Sequence, residues 1–100
     1  MASELGLIKL QGAARAAESA LKLLEKGDLE RAQESLQRAQ RQLEGLHEPA
    51  HSRRQRVGRR MLDAVAQLAA LVAQDDADGD AMASALKAAE RSLKAAQELR

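Results

Sequence analysis

The chain has no cysteine, no Phe, Tyr or Trp, and a single proline in 100 residues. Without thiols there are no disulfides and no thiolate metal sites, which fits a reducing compartment. Without aromatic rings the core must be built from Leu, Ala, Val, Ile and Met, and no ring is available to stack on a nucleobase. Charge of one sign is also scarce: 16 Lys and Arg against 15 Asp and Glu leave a formal charge of +1. That balance argues against wholesale affinity for nucleic acid or membrane surfaces. Long apolar runs are missing as well. Lys9 interrupts the segment Leu5–Leu10, and no stretch approaches the roughly 18 apolar residues of a membrane span or the pattern of a secretory signal. The expectation is a cytoplasmic chain with no membrane span, organised as one domain over residues 1–100. A chain of this length buries roughly two-thirds of its unfolded surface. Alanine contributes little to that area, so a homodimer or a bound helix could supply further stability.

What the chain does have is a shared rhythm. Leu7, Leu10, Ala14, Ala17, Leu21 and Leu24 are spaced 3-4-3-4-3, and Leu29, Ala32, Leu36, Ala39, Leu43 and Leu46 repeat that spacing. Each set lies on one stripe of a helix. Lys26-Gly27-Asp28 separates them, and so short a connection makes the helices antiparallel neighbours. Gly27 is placed for a left-handed helix terminus and Asp28 for the cap of the next helix. Further seams follow at Val57, Met61, Ala64, Leu68 and Leu71, and at Met82, Leu86, Ala89, Leu93 and Ala96. The reading is an all-α, antiparallel four-helix bundle with helices over about 3–26, 28–46, 49–74 and 80–99. Ser3 is placed to cap the first helix and Asp80 the fourth. The third starts near Pro49 or near Ser52, where Ser52 and Gln55 have capping-box spacing. Glu34 and Arg38 have the spacing of an i,i+4 ion pair.

Three motifs carry chemistry on paper. His47-Glu48-Pro49-Ala50-His51 matches the H-E-x-x-H expression of zinc proteases, which needs both histidines one turn apart on a helix. Here the proline falls between them, so the reading is a polar turn rather than a metal site. Asp76, Asp78 and Asp80 alternate like the opening of a calcium loop. Such a loop needs glycine at its sixth position and glutamate at its twelfth, where this chain has Ala81 and Lys87; an acidic helix-capping loop is expected instead. Arg53, Arg54, Arg56, Arg59 and Arg60 crowd eight residues. They could meet phosphates, but near a helix N-terminus the dipole disfavours them, which hints at an acidic partner or at pairing with Glu44 and Glu48; the default reading is a solvated face. No serine stands beside a base, and no glycine-rich phosphate loop occurs. Neither an enzyme nor a cofactor is expected.

Three blocks, in order, bring a family into view. They are Ser3-Glu-Leu-Gly-Leu-Ile-Lys-Leu-Gln-Gly-Ala13, Leu24-Glu-Lys-Gly-Asp-Leu-Glu30 and Leu36-Gln-Arg-Ala-Gln40. The stretch from Glu4 to His47 thereby resembles the flagellin-specific export chaperones of bacteria, the FliS family. Gln11 stands where the first block usually has tyrosine. Arg60-Met-Leu-Asp-Ala-Val65 occupies the place of a tyrosine-containing segment. The resemblance implies a helical bundle that binds an amphipathic segment of flagellin, or of a related exported flagellar subunit, and blocks premature assembly.

Helix-in-groove binding asks for apolar residues beyond the seam. The candidates are Leu5 and Ile8 on the first helix, and Leu62, Val65 and Val72 on the third; the alternative for each is membership of a wide core stripe. The expected partner is thus a flagellin-like helical segment rather than nucleic acid. A generic helical interaction or dimerisation module is the alternative function. A histidine-based phosphocarrier is disfavoured, because His47 and His51 lie at a turn.

Overall fold

Four helices follow one another in the computed structural model: α1 (Ala2–Glu25), α2 (Leu29–Glu44), α3 (Arg53–Val72) and α4 (Gly79–Gln97). The structure describes residues 2–46, 52–74 and 76–99, with side chains from residue 6 onward. Among these residues there is no strand. Each helix packs on its sequence neighbours and α4 closes back on α1, so the order around the bundle is α1-α2-α3-α4. The α1–α2 interface is the most extensive and α1–α4 the sparsest of the four. The radius of gyration is 13.1 Å, the value expected of a folded domain of this length.

The local chemistry explains where the helices stop. Gly27 has φ +80°, a conformation glycine adopts without a Cβ penalty. It lets the Asp28 N–H reach the Leu23 carbonyl (2.9 Å) and the Gly27 N–H the Leu24 carbonyl (3.1 Å). This is a Schellman terminus. Asp28 then caps α2, its carboxylate accepting the Arg31 N–H at 3.2 Å. Ser52 caps α3 in the same way, accepting the Gln55 N–H at 3.1 Å, as the capping-box spacing predicts. The Pro49 alternative, like the whole His47–His51 motif, lies outside the described residues.

Two expected caps fall elsewhere. Helix α1 already includes Ala2, so Ser3 stands inside it. At α4 the capping residue is Asp78, whose extended backbone (φ −61°, ψ 131°) lets its carboxylate accept the Asp80 N–H at 3.4 Å. Asp80 is therefore a first-turn residue, where its charge complements the helix dipole. The ion pairs found among the described residues are Glu18–Lys22 and Asp28–Arg31, each at 3.6 Å, rather than Glu34–Arg38.

The seams point inward with one exception. Leu10, Leu36, Met61, Val65 and Leu68 are the largest fully buried side chains. Around them lie alanines from every helix, among them Ala17, Ala39, Ala64 and Ala89. Small side chains let the helices approach closely, and Gly58 carries this furthest: a Cβ there would sit 2.5 Å from Leu46 Cδ2. The exception is Leu29, 52% exposed, since it begins α2 directly after the turn. The buried Ser92 hydroxyl donates to the Ala89 carbonyl at 2.9 Å. It satisfies itself within its own helix.

Candidate functional site

Of the five apolar residues singled out on α1 and α3, the four whose side chains are described do not form one surface. Ile8 is 63% exposed and stands on the outer side of α1, near the exposed Gln11 and Arg15. Val65 is fully buried within the core, so it offers nothing to a partner. Val72 is partly buried against the same core. Leu62 lines a cleft of about 350 Å³ between α2 and α3, together with Leu43, Leu46 and Gln55. The side chain of Leu5 lies outside the described residues.

The larger concavity lies elsewhere, between α3 and α4, with a volume of about 400 Å³. Its floor is mostly apolar: Val57 and Ala64 from α3, Ala88 and Ala95 from α4, with Ser92 and Gln67 also in the lining. Arg60 stands on the α3 bank and Arg91 on the α4 bank. Both are exposed, and neither makes an ion pair among the described residues. Asp63 is the one carboxylate in the lining.

This geometry follows from two registers. At about 100° per residue, Arg53, Arg56 and Arg60 fall within an arc of about 60° on α3. That arc adjoins the Val57–Ala64 edge of the core stripe, and of the three arginines Arg60 lines the groove itself. On α4, Ala88 and Ala95 are seven residues apart and flank the buried face of Ala85, Ala89, Ser92 and Ala96. Being alanines, they reach the edge of the α3–α4 interface without filling it. Arg59 belongs to the other side of α3, in the α2–α3 cleft with Glu44, and Asp63 borders both that cleft and the groove.

Among the described residues no three His, Asp or Glu side chains come together to hold a metal ion. Asp76, Asp78 and Asp80 are all exposed, and two of them are occupied in starting α4. No described helix is long and apolar enough to cross a membrane.

The α3–α4 groove could be found in the sequence only in part. The arginine crowding is visible, and Val57 and Ala64 belong to the recognised seam. Ala88 and Ala95 carry no signal of their own, because an alanine beside a seam is as compatible with a closed interface as with an open one. Comparison of the chain with protein-family models, with curated proteins and with solved structures finds no match in any of the three.

Proposed function

We propose that this bundle is an export-chaperone-like protein that binds an amphipathic helical segment of flagellin, or of a related exported flagellar subunit, and keeps it from assembling prematurely. The observation that carries the reading is the α3–α4 groove, apolar along its floor and polar along both banks. An amphipathic helix laid there would bury its apolar stripe and leave its polar face in water. Such a segment, disordered when free, would order as it binds. The resemblance of residues 4–47 to the flagellin chaperones supplies the class of client, and a cytoplasmic location goes with it.

The test is a titration of the full chain with terminal helical segments of flagellin from the source organism, followed by calorimetry. Binding with a Kd in the micromolar range, about −8 kcal/mol, supports the proposal. Absence of binding at tens of micromolar sinks it. The alternative, a dimerisation module with no flagellar role, draws on the same alanine floor, which would equally admit a helix of a second copy. Sedimentation velocity separates the two: a dimer that dissociates on dilution favours the second.

A further inference from the structure

We infer that the α3–α4 groove selects its helix by charge, taking an amphipathic helix whose apolar stripe is flanked on both sides by carboxylates. The inference deepens the helix-binding reading above and rests on it. Its starting point is that Arg60 and Arg91 occupy opposite banks of one apolar-floored groove. Each is exposed and without an ion pair among the described residues.

Three features give the groove its sign. The basic row continues from Arg60 to Arg56 and Arg53 along about 10 Å of α3. Arg53 and Arg56 stand at the N-terminus of α3, whose first turn holds no acidic residue. The helix dipole there is unfavourable to cations. Asp63 is the one carboxylate in the groove's lining and lies on α3 with Arg60, so the α4 side of the lining carries only the positive charge of Arg91. An anionic partner would relieve both banks at once. A helix meets that demand with Glu or Asp at the two positions bordering its apolar stripe, as flanking charges do in a coiled coil. A nucleic acid would meet the arginines but not the floor of Val57, Ala64, Ala88 and Ala95, and no aromatic ring is there to stack its bases.

The experiment uses two synthetic amphipathic peptides with one apolar stripe, flanked in one by Glu and in the other by Lys. Both are titrated into the full chain by fluorescence anisotropy at low and high salt. The Glu-flanked peptide is expected to bind at least about tenfold tighter, with the margin shrinking as salt rises. The double variant R60E/R91E, with folding checked by circular dichroism, is expected to reverse the preference. Equal affinities at low salt, or a preference unchanged in R60E/R91E, would overturn the inference. So would a single-stranded oligonucleotide that displaces the Glu-flanked peptide, or occupation of the groove by a second copy of the chain.

The two readings can fail separately. A flagellin segment that binds the wild type and R60E/R91E alike retains the chaperone function and overturns the charge selection. A preserved margin between the two peptides, with no binding of any flagellin segment, retains the charge selection and overturns the flagellar client.

Discussion

The Lys9 ammonium donates to the carbonyl oxygen of Gly45 at 3.0 Å, across 36 residues of sequence. Gly45 is the C-cap of α2, so a cation from the first turns of α1 meets the negative end of the α2 dipole. The two effects, a partly buried charge-assisted hydrogen bond and a dipole contact, act together. Lys9→Met keeps much of the stem and removes the charge. It is expected to destabilise the fold by about 1 kcal/mol. In a domain of this size that lowers Tm by roughly 4–8 °C. A thermal melt by circular dichroism checks it, and an unchanged Tm would show that the contact contributes nothing in solution.

Gly27 poses a backbone question with no packing in it. Its φ is +80°, and a Cβ there would meet nothing within 4 Å. Gly27→Ala is therefore expected to cost about 1 kcal/mol purely through the left-handed conformation. Gly27→Asn should cost less, since asparagine tolerates that region. Denaturant titration of the two variants reads the difference. Equal losses would mean that the turn rearranges.

Gly58 poses the opposite question. An added methyl would gain helix propensity of about 1 kcal/mol but would collide with Leu46 Cδ2, and Leu10 Cδ1 lies behind at 3.8 Å. In the wild-type background the two effects oppose, and Gly58→Ala is expected to change stability little or to lower it. In a Leu46→Ala background the collision is gone, and the same substitution should stabilise by up to about 1 kcal/mol. The sign change between backgrounds, measured as a double-mutant cycle, is the observable.

Leu10, Leu36, Met61 and Leu68 show why the bundle was legible in the sequence. Their 3-4 spacing is the geometry of a buried stripe, and all four are buried. Leu29 and Val65 show where periodicity stops informing. Leu29 keeps the seam's phase yet lies at a helix start with no helix over it. Val65 lies off the narrow seam yet is wholly enclosed, because a helix with neighbours on two sides buries a wider arc. The α4 cap was ambiguous for a local reason: Asp78 and Asp80 both precede the apolar run. The structure chooses Asp78 because Gly79 enters the first turn. The groove was the least legible feature. Hydrophobic spacing reports which face of a helix is apolar, not whether its neighbour covers that face, and Ala88 and Ala95 read the same in either case.

Those two alanines allow the groove to be tested apart from the fold. Both are half-buried on its floor, and leucine is nearly as good a helix former as alanine. Ala88→Leu and Ala95→Leu should therefore leave the melting temperature unchanged or slightly raised, because the new side chains cover apolar surface without entering the core. They would also fill the trough in which a partner helix must lie, so affinity for a bound amphipathic segment is expected to fall by at least about tenfold, or 1.4 kcal/mol. Ala83→Leu is the matched control: Ala83 is exposed on α4, away from the groove, and its substitution should leave affinity unchanged. Calorimetric titration of the three variants with one helical segment decides the matter. If Ala83→Leu weakens binding as much as the other two, the segment binds elsewhere on the bundle.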